Sequence, residues 1–182
     1  MFDVRQTPLA GCVELAPTVH EDRRGRFAKV FHEPTFARLG LETQFAEEYF
    51  SVSRQGVLRG MHFQVPPHDH AKLVYLVAGS VLDVVLDLRA GSPSFGRCAT
   101  FELSADAVTM VYVPRGCAHG FYVRAGPATM VYRTSTVHSP EHDTGVHWKS
   151  VGVEWPDGDP VVSERDDRLP ALQDFRSPFR HA

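Results

Sequence analysis

Between Val81 and Arg89 the chain reads VLDVVLDLR, which sets Leu82, Val84, Leu86 and Leu88 on one side and Asp83, Asp87 and Arg89 on the other. A polarity period of two belongs to a β-strand with one apolar and one polar face. Further segments of strand character fall at Lys72–Val77, Ala99–Leu103, Thr109–Val113, Gly120–Val123 and Thr129–Thr134. Turn sequences such as GSPSFG and PRG separate them. Short strands at these intervals predict an all-β chain, folded as an antiparallel sandwich or jelly roll. Helix is sparse: Glu33–Leu39 is the best candidate, because Pro34 suits a first helical turn and Gly40 suits its end. A second short turn is expected near Leu169–Phe175, and the Pro-rich, charged segment after Trp155 is expected to wrap the surface rather than add strands. No repeat, low-complexity tract or linker interrupts the pattern, which predicts one domain over residues 1–182.

Composition changes this picture only by exclusion. With 182 residues, 43% of them hydrophobic, the chain can bury one substantial core. A formal charge of −3 and dispersed basic residues argue against nucleic acid as a partner, so an anionic ligand has to be held by a local cluster. No apolar run approaches the roughly 20 residues that span a bilayer, and the stretch MFDVRQTPLAG lacks the apolar core of a signal peptide. The expectation is a soluble, cytoplasmic protein without a membrane partner. Cys12, Cys98 and Cys117 are odd in number and far apart, which favours small packing residues over a disulfide framework.

Candidate chemistry concentrates in residues 57–74, VLRGMHFQVPPHDHAKLV, where Arg59, His62 and Lys72 lie close together between segments of strand character. A guanidinium suits phosphate, a neutral imidazole accepts a proton, and an ammonium stabilises a developing oxyanion. Together they point to proton abstraction beside a carbonyl on a phosphorylated ligand. The competing explanation of such a basic run is a solvated surface.

An ordered series of motifs extends the stretch in both directions. DRRGRF at 22–27, SVSRQGVLRGMHFQ at 51–64, KLV at 72–74 and DVVLDLRAGSPSFG at 83–96 are followed by PRGCAHGF at 114–121, VYRTSTVHSPE at 131–141, and WP with SERD at 155–166. This series resembles the dTDP-4-dehydrorhamnose 3,5-epimerase family of nucleotide-sugar enzymes over nearly the whole chain. The resemblance implies a cupin-type jelly roll, a homodimer, a nucleotide-sugar substrate, and a site inside the barrel with neither metal nor organic cofactor. It casts His62 as the general base, Asp166 as the carboxylate that orients it, and Tyr132 as the proton donor on the opposite face of the sugar. Lys72, Arg24, Arg59 and His119 match ligand contacts, Asp143 conservatively replaces another acidic one, and Asp83 is a candidate to position the Lys72 ammonium, with a surface ion pair as the ordinary alternative. A C4 ketone acidifies the C–H bonds at C3 and C5, so loss and return of a proton on opposite faces inverts either carbon.

Several positions depart from the usual pattern. Glu47 and Tyr49 stand where most members carry glutamine and asparagine facing the sugar, Lys29 where a glutamate is usual, and His138 where a tyrosine stacks on the base. An ionised carboxylate accepts hydrogen bonds without donating them, and tyrosine takes more volume. The departures resemble relatives that act on other nucleotide 4-keto sugars, including CDP-linked dideoxy sugars inverted at C5 alone. Two other classes compete: a metal-dependent cupin using His68, His70 and His119, and a non-catalytic sugar-nucleotide binder.

Overall fold

The computed structural model describes residues 2–181. In chain order its strands are β1 (Phe2–Gln6), β2 (Val13–Pro17), β3 (Val19–Asp22), β4 (Gly25–Ala28), β5 (Glu47–Ser53), β6 (Leu58–Gln64), β7 (Lys72–Asp87), β8 (Cys98–Ser104), β9 (Met110–Val113), β10 (Cys117–Thr134) and β11 (Asp143–Gly145). Two short helices, α1 (Glu33–Arg38) and α2 (Glu164–Asp167), accompany them.

The architecture rests on β7 and β10, which pair antiparallel from Cys117 opposite Asp87 to Thr134 opposite Lys72. Register shifts between Val123 and Met130 bend the pair midway. Gly79 sits in the bend at φ +76°, where a Cβ would lie 2.7 Å from the Ala128 Cα. The segments expected as separate strands at Lys72–Val77 and 81–89 therefore merge into one, as do those at Gly120–Val123 and Thr129–Thr134. Each half of these long strands then serves a different layer. The first layer joins β1, β2, β9, the start of β7, the end of β10 and β5. The second joins β8, the end of β7, the start of β10, β6 and β11. Every pairing between these strands is antiparallel, and the result is the jelly-roll sandwich expected of the chain. The β3–β4 hairpin forms a two-stranded sheet of its own.

Between the layers pack Val74, Leu76, Val81, Val85, Phe101 and Met130. The outside of the first layer is covered by α1, whose Phe36 packs with Leu15, Leu73 and Met110. Full burial of a phenylalanine is worth about 1.5–3 kcal/mol, which fixes so short a helix where propensity alone would not. The outside of the second layer is covered by the C-terminal segment, through Trp148, Val151 and Phe179 against Leu82, Leu86 and Leu88. This segment adds only isolated bridges, at Val57–Val161 and Ala90–Arg180, and the turn expected near residue 170 is a 3-10 turn at Leu172–Asp174.

Covering both outsides corrects the reading of VLDVVLDLR. The strand is buried on both faces, so Asp83, Asp87 and Arg89 lie inside rather than on a polar exterior. Asp87 is satisfied by Arg89, through its backbone N–H and guanidinium, and by the Ser92 and Ser94 hydroxyls folded back from GSPSFG. Cys12 and Cys117 are buried, Cys98 is half-buried, and all three are free thiols. No helix among the described residues is long and apolar enough to cross a membrane.

Candidate active site

A cavity of about 380 Å³ opens where β5, β6, β10 and the start of β7 converge. His62 enters it from β6 in the second layer, and Tyr132 enters it from the end of β10 in the first. The two groups that the motif series casts as base and acid thus come from opposite layers of the sandwich.

His62 Nε2 lies 2.7 Å from Asp166 Oδ1, while Asp166 Oδ2 accepts the Gly60 N–H at 3.2 Å. Burial raises the Asp166 carboxyl, but the hydrogen bonds from His62, Gly60 and Ser163 together hold it below its ordinary value. An ionised Asp166 keeps the imidazole proton on Nε2 and leaves Nδ1 as the basic nitrogen. Two local devices place this carboxylate. Ser163 caps α2 by accepting the Asp166 N–H at 3.1 Å, and Gly60 adopts φ +137° where a Cβ would lie 2.5 Å from the Gly120 Cα. The backbone beside His62 can therefore press against β10 only as glycine.

Tyr132 stacks on Tyr49 at 4.7 Å, and its hydroxyl lies 3.0 Å from Ser51 Oγ. Burial pushes the phenol well above its ordinary value, which keeps it protonated and able to donate. Lys72 is buried at the first position of β7, and its ammonium makes no hydrogen bond to any described residue. Burial pushes it down to about 8 against the opposing pull of Asp143, so it remains mostly charged at neutral pH.

The cavity also gathers Arg59, whose Nε donates to Ser53 Oγ, and Asp143, which pairs with Arg165 at 2.8 Å. Glu47 accepts the His138 N–H at 2.6 Å, tying the segment that carries His138 to β5 at the rim. His119 lines the wall, and its Nε2 lies 2.7 Å from Asp83 Oδ2. Asp83 is thus a buried partner of His119, not a surface ion pair or the direct partner of Lys72. Arg24 does not reach this cavity: it sits on the β3–β4 hairpin, bound to Asp22, with its side chain 85% exposed. Lys29 likewise borders a separate groove beside Phe27.

Arg165 was not foreseen from sequence, although it precedes Asp166 within SERD and shares its helix. Ser51 was missed for a different reason, since its meeting with Tyr132 depends on the pairing of β5 with β10. The histidines of the metal reading form no ligand cluster: His68 packs at a tilt on His142, His70 Nδ1 lies beside the Gln64 amide, and His119, on the same cavity as His70, is bound to Asp83. Among the described residues no three histidine, cysteine or acidic side chains are arranged to hold a metal.

A histidine backed by a carboxylate and a protonated tyrosine, brought into one cavity from opposite layers beside a buried ammonium and two arginines, make a jelly-roll site suited to moving protons at carbon on an anionic ligand. The model of the dTDP-4-dehydrorhamnose 3,5-epimerase family matches residues 6–174, and the chain belongs to that family. It is 36% identical over 168 residues to the dTDP-4-dehydrorhamnose 3,5-epimerase of Shigella flexneri, covering 91% of this chain and 93% of the relative. A crystal structure of a dTDP-6-deoxy-D-glucose-3,5-epimerase from Legionella pneumophila, in complex with dTDP-4-keto-L-rhamnose, superposes with a TM-score of 0.94 at 31% identity and covers 100% of both chains. A 3'-monoepimerase from Streptomyces bikiniensis in complex with dTDP superposes with a TM-score of 0.88 at 32% identity, covering 92% of this chain and 86% of that one. That structure is of a double variant, with one histidine changed to asparagine and one tyrosine to phenylalanine, spaced along its chain as His62 and Tyr132 are here.

Proposed function

We propose that this protein is a cytoplasmic epimerase of deoxysugar biosynthesis that inverts C3, C5 or both in a nucleotide-linked 4-keto-6-deoxyhexose of the dTDP-4-dehydro-6-deoxyglucose type. The observation that carries the reading is the placement of His62 and Tyr132 in opposite layers of one cavity, with Asp166 directly behind the histidine. His62 Nδ1 removes the proton beside the ketone, and Asp166 stabilises the imidazolium. Lys72 offers its free ammonium to the enolate oxygen as charge develops. Tyr132 then delivers a proton from the other side. A base that returned its own proton would regenerate the starting configuration, so the second group is what makes inversion possible. Every step is a proton transfer and needs no redox partner. A positioned acid or base contributes about 10²–10⁴-fold to such a step.

Arg59 and Arg165 are suited to the diphosphate by their forked donors, and His138 offers a flat face to the nucleobase. Tyr49, stacked over Tyr132, and Glu47 narrow the space for the sugar and support a hydroxyl pattern different from that of the common substrate. We also assign a homodimer. Phe50 and Val52 on β5, with Val77 on β7, form an exposed apolar strip on the outside of the first layer. In such an assembly the exposed Arg24 is free to serve a second copy's ligand.

Proton NMR in D₂O tests the reading, with dTDP- and CDP-linked 4-keto-6-deoxyglucose and the CDP-linked 3,6-dideoxy analogue. Deuterium entering at C3 and C5 identifies a 3,5-epimerase, and entry at a single carbon identifies a mono-epimerase. Tight binding without exchange of any sugar proton overturns the catalytic assignment in favour of a binding protein.

A further inference from the structure

Each inversion leaves the site with two protons out of place. His62 holds one too many and Tyr132 one too few, and both must reset before the next turnover. The two face different circumstances. The His62 side chain is 26% exposed and can release its proton to water directly. Tyr132 is buried, its ring covered by Tyr49 and flanked edge-on by His119 at 6.2 Å. Among the described residues its hydroxyl has a single hydrogen-bond partner, Ser51 Oγ. Ser51 is half-buried and lines the cavity, so one side of its hydroxyl meets the phenol while the other is open to solvent. Strand pairing sets the contact: Tyr132 is opposite Tyr49, and Ser51, two positions on, projects on the same face of β5.

We infer that Ser51 relays the proton that restores the Tyr132 hydroxyl after each inversion. The inference rests on Tyr132 being the acid. As the new C–H bond forms, the Tyr132 O–H bond breaks. The Ser51 hydroxyl then gives its proton to the phenolate oxygen and takes one from a water in the cavity mouth. The hydroxide left behind is neutralised by the proton that His62 releases, so no net proton is gained or lost in a cycle. Burial makes a lingering phenolate costly, and the hydrogen bond from Ser51 is the largest opposing influence on it.

Ser51→Ala and Ser51→Thr separate relay from propping when inversion is followed with enzyme in excess over dTDP-4-keto-6-deoxyglucose and again with substrate in excess. With enzyme in excess the first inversion draws only on the proton the site already holds, and Ser51→Ala should slow that first inversion by no more than about threefold. With substrate in excess the same variant should lose about 10²-fold or more, the lower end of the range for a lost proton-transfer group. Ser51→Thr, which keeps the hydroxyl, should recover most of that loss. Equal losses in the two regimes would show that Ser51 merely props the ring, and undiminished turnover would remove it from the cycle; either overturns the relay. Wild-type inversion in a Tyr132→Phe variant would instead overturn the acid assignment, and a wild-type protein inert toward all three nucleotide sugars would overturn the epimerase reading itself.

Discussion

The two ends of β7 bury polar groups in opposite ways. At Asp87 every acceptor is used: Oδ1 takes the Arg89 backbone N–H and Nε, and Oδ2 takes Arg89 Nη2 with the Ser92 and Ser94 hydroxyls. At Lys72, fifteen positions earlier in the same strand, a buried ammonium has no hydrogen bond to any described residue and only the more distant pulls of Asp143 and Asp83 to favour its charge. Leaving a buried polar group open costs stability, so such a group calls for a reason. The closed network at Asp87 ties the GSPSFG turn to the sandwich. The open ammonium at Lys72 is the one proposed to meet the ligand.

Removing each group should therefore damage a different property. Asp87→Ala leaves the Arg89 guanidinium buried without its partner and should cost about 3–5 kcal/mol of unfolding free energy, read by urea denaturation. The folded fraction should keep near-normal turnover. Lys72→Met should do the reverse, lowering turnover by about 10²–10³-fold, the scale of a lost oxyanion donor, while unfolding free energy stays level or rises. A large stability loss in Lys72→Met, or a turnover loss without destabilisation in Asp87→Ala, would erase the contrast.

Titration sharpens the same comparison with smaller effects. Against a burial penalty, the Arg89 and serine hydrogen bonds hold Asp87 at about 2, below its ordinary 3.8. A depressed carboxylate stabilises the fold fully above its unfolded value and loses that contribution as pH falls from about 4 to about 2. The shift corresponds to roughly 2 kcal/mol. Acid unfolding curves of wild type and Asp87→Asn should converge at the bottom of this window. Lys72 titrates at the other end of the scale. With its ammonium held near 8, turnover should fall as pH rises through that value, and Lys72→Arg, whose cation does not titrate in this range, should lack the alkaline limb.

The contrast between these two ends was not legible in the alternation of VLDVVLDLR. That alternation announces a strand, but whether its polar side meets water depends on what covers the sheet. Here the C-terminal segment covers one side and the opposite layer covers the other, and both come from far along the chain. The candidate site was legible wherever its residues fall within short motifs: Arg59, His62 and Lys72 in one stretch, and His119 in AHGF. Asp166 lies 104 positions from His62. Only the resemblance joined them, and the 2.7 Å contact now supplies the physical reason. Ser51 and the pairing of Asp83 with His119 are consequences of strand register, which single-strand patterns do not encode. Arg24 was picked out by motif alone, and it lies on a separate hairpin outside the cavity of its own chain.

In the proposed reaction base and acid are separate groups acting from opposite layers. Proton NMR of the Tyr132→Phe variant in D₂O, following exchange and inversion in one sample of dTDP-4-keto-6-deoxyglucose, tests this separation most directly. His62 should still remove the proton and return deuterium to the same face, so exchange with retention should persist while inversion falls by about 10²-fold or more. Inversion at the wild-type rate would contradict the account.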